Sequence, residues 1–423
     1  MHIIFKVISI EVFYANMLGN LIKYAFSEGV AKLAPFFTTL YVAKFISVES
    51  FGKYSLVIVA YELFFILISF NIQATTRIDY FKLTRASFLN SKRQHLIICF
   101  FLAIFISILS SASNEYAYIL ILLVFSSLTR CISVFQLAVY QCEKSASKYV
   151  ISNLTFTISL SVFTLIFVNT GCEYLSWLYG LLLASLFQLV VSSTLFGYVR
   201  TVLFLSFNRV DFNLDSFKST FVIALLFLPQ ALGWWLKLGA DRWVIEQGLG
   251  ASILGEYSLA FQFASVLLIA ATVINLVLVP ELNVSLKNCN IKRIKILISS
   301  AILFLVLLSF IVNYAGVEVI RKVYDFEYKN SIQYLEFLIF PFLVQSFVLI
   351  FSNLLYYLGK GAFMAKIILV TFTLQIAINY FFVEYFHVSG MILVSLFANV
   401  IVFMLIVVKS IIELKRELKS YLI

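Results

Sequence analysis

The sequence predicts an all-α integral membrane protein, with twelve transmembrane helices in two parallel six-helix bundles. Three observations predict it. Hydrophobic residues make up 62% of the 423 positions and charged residues 12%, against about 45–50% and about 25% in soluble domains. Apolar runs of about twenty residues recur along the whole chain, which is the length an α-helix needs to cross a bilayer and twice what a barrel strand needs. A six-residue pattern, Phe51-Gly52-Lys53-Tyr54-Ser55-Leu56, returns as Leu254-Gly255-Glu256-Tyr257-Ser258-Leu259.

Taken in order, the segment before Leu21 is apolar on one side and carries Lys6 and Glu11, so it reads as an interfacial helix rather than a span. The spans centre on 25–46, 54–72, 96–112, 117–139, 149–169 and 175–197 in the first half. The second half has them at 218–238, 256–280, 296–315, 334–355, 364–384 and 389–409. Each copy of the six-residue pattern follows a proline-bearing span, Pro35 in the first and Pro229 in the seventh. The repeat unit is therefore six spans. An even number keeps both halves in one orientation, related by an axis along the membrane normal. The expected organisation is an N-terminal bundle at 1–198, a cytoplasmic linker at 199–217 and a C-terminal bundle at 218–423. The longest loops, 77–95, 198–217 and 316–333, leave no room for a soluble catalytic domain.

The net charge of +10 reads as loop charge on one membrane face rather than as a nucleic-acid surface. With the N-terminus inside, 22 of the 31 Lys and Arg fall in cytoplasmic segments and seven in outer ones. That bias sets both termini in the cytoplasm. Five cysteines lie far apart with no metal or disulfide spacing. The N-terminus lacks a basic start followed by a small-residue cleavage site, so no removable signal peptide is expected. His2, His95 and His387 are isolated and expected at surfaces or span ends, and Trp177, Trp234, Trp235 and Trp243 at outer interfaces. No Gly-rich phosphate loop, Ser/His/Asp set or acidic pair occurs.

Charges inside spans carry the functional signal, because each costs about 2.5–3.5 kcal/mol at mid-helix. Gln230, Trp234, Lys237 and Asp241 share one face at helical spacing, followed by Arg242 in what reads as a charged turn at one surface. A polar stripe on a spanning helix faces a protein interior or a watery cavity. Glu28 and Lys32 are four apart in the first span; either they neutralise each other or Lys32 reaches a cavity. Glu62 sits mid-span, either protonated and structural or a proton-coupling site. Arg130 lies on the stripe Ser126, Arg130, Ser133, Gln136, Tyr140. It pairs with Glu28 or Glu62, or it meets an anionic substrate. Stripes with Gln262 (span eight), Gln345 (span ten) and Gln375 and Asn379 (span eleven) suit sugar hydroxyls, and equally suit helix packing.

Pro229, Asp241-Arg242, Ile245, Gly248 and Gly255-x-Tyr257-Ser258-x-Ala260 resemble the seventh and eighth helices of polysaccharide exporters in the MOP superfamily. Phe51-Gly52 after the first span and the Gly359-Lys360 turn before the eleventh extend the resemblance over the chain. The closest in style are Wzx-type flippases of O-antigen or capsule repeat units. Relatives that flip lipid-linked peptidoglycan have fourteen spans, and drug-exporting relatives have a different first helix and an acidic cavity signature not found here.

The resemblance implies a MATE-like V shape in the bacterial inner membrane, with no covalent chemistry and no cofactor beyond a proton or sodium gradient. The implied substrate is an undecaprenyl-pyrophosphate-linked oligosaccharide, and membrane lipids are neighbours. A polysaccharide polymerase and a chain-length regulator are the implied partners, and no nucleic acid is expected. Lys32, Arg130, Lys237, Arg242, Gln262, Gln345, Gln375 and Asn379 are then the candidate substrate contacts, and Glu28, Glu62 and Asp241 the candidate ion-coupling groups. A cation-coupled drug or metabolite exporter, or a membrane polymerase, is the competing reading.

Overall fold

The computed structural model describes residues 23, 26–111, 116–196, 214–324 and 326–420. The expected interfacial segment before Leu21, with His2, and most of the 199–217 linker lie outside them. The described chain is helical, without a strand. The helices are α1 (26–45), α2 (Val48–Ser69), α3 (Ile72–Lys82), α4 (Arg85–Ser111), α5 (Ala117–Cys142), α6 (Ala146–Asn169) and α7 (Ser176–Phe196). After the linker come α8 (Leu214–Trp235), α9 (Asp241–Leu249), α10 (Ala251–Ala264), α11 (Val266–Lys287), α12 (Ile291–Val323) and α13 (Lys329–Tyr357). The last stretch, Gly361–Ser420, is two helices that meet at His387, where φ is 50° and ψ −166°. We call them α14 (361–386) and α15 (388–420).

Among the described residues, ten helical stretches are long and apolar enough to cross a membrane, and Gly361–Glu417 is one of them at 57 residues. It is long enough for two crossings. Counted so, and with α1 added, the described helices agree with twelve spans. Pro229, Pro280 and Pro341 all lie inside helices. Membrane helices tolerate this because neighbouring helices and local adjustments satisfy the freed carbonyls.

Two compact units emerge. One gathers the described residues up to Thr38 with Phe64–Thr170 and Ser176–Phe227, and the other gathers Thr39–Leu63, Gly171–Leu175 and the chain from Leu228. In the first, Ile72, Phe88, Cys99, Cys131, Phe135 and Val139 form a core under α3, α4 and α5. In the second, Ala271, Leu282, Ile298, Leu305, Ile350 and Leu354 join α11, α12 and α13. A further cluster with Met364, Ile368, Phe372, Val402 and Ile406 joins α13, α14 and α15.

Within the second unit the sequence repeat is a physical contact. A Cβ on Gly52 would lie 2.0 Å from the Ala251 carbonyl oxygen, and one on Gly255 would lie 2.0 Å from the Val48 carbonyl oxygen. Ser258 Oγ donates to Ser55 Oγ at 2.8 Å, across a separation of 203 residues. Residue 48 meets 255 and residue 52 meets 251, so the contact is reciprocal, as in a two-fold interface. Only hydrogen at both glycines lets the two backbones come this close.

Four expectations are corrected. The 77–95 segment is not a loop. Phe70 and Asn71 adopt positive φ and end α2, and then α3 and the first turns of α4 fold into a helical corner. His95 is fully buried in that corner rather than at a surface. The charges after Trp235 are not a surface turn, because helix continues to Leu249 before Gly250 turns the chain. Trp235 is no interfacial anchor; its indole N–H donates to the Val59 carbonyl at 2.9 Å, and Trp234 packs on the α13–α15 cluster. Trp243 is exposed and His387 lies at the exposed bend, both as the sequence suggests.

Candidate functional site

The second unit holds a buried polar cluster built on an irregular helix. Between α8 and α9, residues Leu236–Ala240 form a π turn. Such a turn inserts one residue into the helical ladder and is frequent at functional sites. It carries Lys237 and delivers Asp241 at its end, 5% and 6% exposed. Asp241 accepts from Asn379 Nδ2 at 2.9 Å and from Gln375 Nε2 at 3.3 Å, both on α14. Lys237 donates to Ser395 Oγ on α15, and its ammonium lies 5.5 Å from the centre of the Phe372 ring. Lys237 precedes Asp241 by four residues, and no direct ion pair joins the two. Gln230, one and a half turns before the π turn, donates to the Tyr356 hydroxyl at 2.7 Å.

The next residue, Arg242, faces differently. Its guanidinium lies 4.2 Å over the Phe261 ring of α10, and Nη1 donates to the Leu238 carbonyl at 3.2 Å. Glu62 on α2 is exposed and within electrostatic reach of it. Gln262 follows Phe261, half-buried. Gln345 on α13 is buried. The carbonyl oxygens of Gln345, Gln375, Asn379 and Asn399 are buried and accept no hydrogen bond in the structure. Unmet buried acceptors of this kind call for a hydrogen-bond donor such as water or a hydroxyl.

The first unit holds a second cluster. Arg130 on α5 lies 3.5 Å over the Phe156 ring of α6, and its Nη1 donates to Gln188 Oε1 on α7 at 2.9 Å. Glu28 on α1 accepts from the Tyr149 hydroxyl on α6, and Asn153 Nδ2 donates to Ser27 Oγ at 3.1 Å. Ser152 and Ser192 share a bond of 2.9 Å. Lys32 is half-buried one turn beyond Glu28, with no polar partner among the described residues.

The predicted residues thus fall into two groups. Asp241, Gln375 and Asn379 come together with Lys237, and Arg242 comes near Glu62. Arg130 and Glu28 belong to the first unit, where each has a polar partner. Sequence reasoning missed Ser395, which shows no stripe of its own, and missed a buried ion pair at the helical corner. There Lys92 Nζ lies 2.6 Å from Asp79 Oδ2, with Lys92 1% exposed. Thr75 Oγ1 accepts from Lys92 at 3.0 Å, and Ser91 bonds Thr220 of α8 at 2.8 Å. The helical spacing Thr75, Thr76, Asp79 and Ser91, Lys92, His95 was the available signal.

The fold is found in solved transporters of the MOP superfamily. An inward-facing multidrug resistance MATE family transporter matches with TM-score 0.68 and 14% identity, over 92% of this chain and 96% of that one. An outward-facing one matches with TM-score 0.59 and 14% identity, over 95% and 96%. A MOP superfamily transporter from Pyrococcus furiosus matches with TM-score 0.57 and 14% identity, over 93% and 96%. At such identity the likeness shows the fold alone. No curated protein matches the sequence. A family model described as polysaccharide biosynthesis protein matches residues 17–285. That span takes in α1 to α10 with both copies of the repeat and the Lys237–Asp241 cluster, and on it the chain belongs to the polysaccharide biosynthesis protein family, on a MOP-type membrane transporter fold.

Proposed function

We propose that this protein flips undecaprenyl-pyrophosphate-linked O-antigen or capsular repeat units from the inner to the outer leaflet of a bacterial inner membrane, by alternating access. The observation that carries the reading is the pairing of a polysaccharide-biosynthesis family match with an exporter fold. A sugar head group cannot cross hydrocarbon unaided, while its polyprenyl tail is at home in lipid. The protein needs a polar path, with membrane-embedded binding groups, and not a reaction centre. Arg130 and Lys32 attract the pyrophosphate. Gln262, Gln345, Gln375 and Asn379 offer amides to sugar hydroxyls, and Arg242 offers a cation beside an aromatic ring. Asp241, with Glu62 and Glu28, is the candidate for proton or sodium coupling, and Lys237 is its internal counter-charge. The expected halves, 1–198 and 218–423, supply the two sides of the cycle.

The test is a deletion strain in which the leaflet of the undecaprenyl-linked unit is measured. Accumulation on the inner leaflet with surface polymer lost is the expected outcome. Complementation with Arg130→Ala is expected to lower export roughly ten-fold or more, the loss of one charge-assisted hydrogen bond. Wild-type export by that variant would remove Arg130 from the path. A second reading, a cation-coupled drug or metabolite exporter, is favoured by the multidrug transporters that share the fold. It predicts unchanged surface polysaccharide and altered drug tolerance in the same strain. Single units reaching the outer leaflet without chain growth would instead favour a polymerase.

A further inference from the structure

We propose that a cation cluster at the α13–α14 turn and the end of α15 is a binding site for the phosphate of an anionic phospholipid headgroup. The cluster is built around one buried carboxylate. Glu413 on α15 has a side chain 8% exposed and receives Lys409 at 2.8 Å, Lys360 at 3.3 Å and Arg416 at 3.4 Å. A buried carboxylate needs a partner, and one cation suffices. Three converge here, which leaves two positive charges without an anion in the cluster. Their own exposure is 39% for Lys360, 29% for Lys409 and 71% for Arg416. Glu413 therefore gathers the cations and leaves their outer faces open.

The positions are fixed. Gly359, at φ 69°, turns the chain out of α13, and the Lys360 backbone N–H donates to the Leu355 carbonyl at 2.8 Å. Lys409 also lies 5.5 Å from the centre of the Phe363 ring. A guanidinium and two ammonium groups held together match a phosphate diester better than scattered loop charges do.

The surroundings choose a lipid over a free phosphate. Val408, Ile411 and Ile412 are 54%, 49% and 43% exposed, interleaved with the cations on the same helix. Tyr356 and Tyr357 are exposed at the end of α13. Exposed apolar side chains beside exposed cations mark the depth at which headgroups sit. Headgroup binding here depends on the chain crossing a membrane and not on what it transports.

The experiment compares retention of phosphatidylglycerol and phosphatidylcholine on the purified full-length protein by native mass spectrometry. Two double variants are tested beside the wild type. K360Q/R416Q keeps Lys409 on Glu413, so the carboxylate stays paired. K292Q/K295Q removes two exposed cations from the start of α12, another basic helix end. The expected result is preferential retention of phosphatidylglycerol, lowered about ten-fold by K360Q/R416Q, given the pull of each basic residue on anionic lipid, and unchanged by K292Q/K295Q. Equal loss from both pairs would mean that general positive charge suffices, and the site would be withdrawn. So would no loss from K360Q/R416Q, or equal retention of the two lipids.

Discussion

Burial of a charge is decided at single residues, and Lys92 and Asp79 show it. Their 2.6 Å pair is sealed in the α3–α4 corner with Thr75 and Ser91 around it. Removing one partner strands the other charge, at a cost of about 3–5 kcal/mol, while replacing both with apolar groups costs far less. Lys92→Met alone is therefore expected to lower the thermal unfolding midpoint of the detergent-solubilised protein sharply. Adding Asp79→Leu is expected to restore most of the loss. Equal midpoints for the single and double variants would show that the pair is not coupled. The helical spacing around these residues was overridden, because a segment with five basic side chains reads as a solvated loop. Lys237 and Asp241 were legible for the opposite reason. In an apolar span each charge stands out by its insertion cost, and the face it shares with Gln230 and Trp234 points to a protein interior, where the structure buries both. Asp241→Asn is expected to leave the protein folded, since an amide can still bond Asn379, and to reduce transport. Undiminished transport by that variant would remove Asp241 from the coupling site.

Helix crossings are decided by backbone approach, which is a property of elements. The α2–α10 crossing needs hydrogen at two positions, because the atoms a methyl would meet are backbone carbonyl oxygens that cannot turn aside. Gly255→Ala is expected to destabilise by about 1–3 kcal/mol, the cost of overpacking. Gly29→Ala is the control. It lies in α1 with nothing within 4 Å of where a methyl would stand, and relief of glycine's entropy cost makes it neutral or stabilising by about 0.5–1 kcal/mol. Equal stability of the two variants would mean that the helices can part freely at the crossing. The repeat was readable, since four of six residues recur at matching places in both halves, but nothing in it told that the two copies meet. The π turn was not. Residue spacings of four, three and four fit a regular helix as well, and the extra residue at Leu236–Ala240 comes directly after Trp235, which bonds α2 through the Val59 carbonyl.

The number and direction of crossings belong to the whole chain, and two contacts constrain them. Lys360 and Glu413 bond at 3.3 Å although the helical stretch between them is far longer than a bilayer is thick. At about 1.5 Å per residue, such a stretch would span nearly three bilayers if straight. The chain must turn back, and the bend at His387 is where it does. Both ends of the stretch are therefore on one side, and the bend is on the other. The reciprocal contact of Val48 with Gly255 and Gly52 with Ala251 adds that α2 and α10 start from the same side, so an even number of crossings separates them. The orientation proposed from loop charge puts Lys292 and Lys360 within and Lys322 and the His387 bend without. In a background with the five native cysteines replaced, Lys322→Cys and Tyr385→Cys are expected to react with a membrane-impermeant maleimide on intact cells. Lys292→Cys is expected to react only after permeabilisation. Labelling of Lys292→Cys from outside would reverse the orientation, and with it the direction of the proposed flip. Failure of Tyr385→Cys to label from either side until the protein is denatured would place the bend inside the bilayer and break the count of twelve.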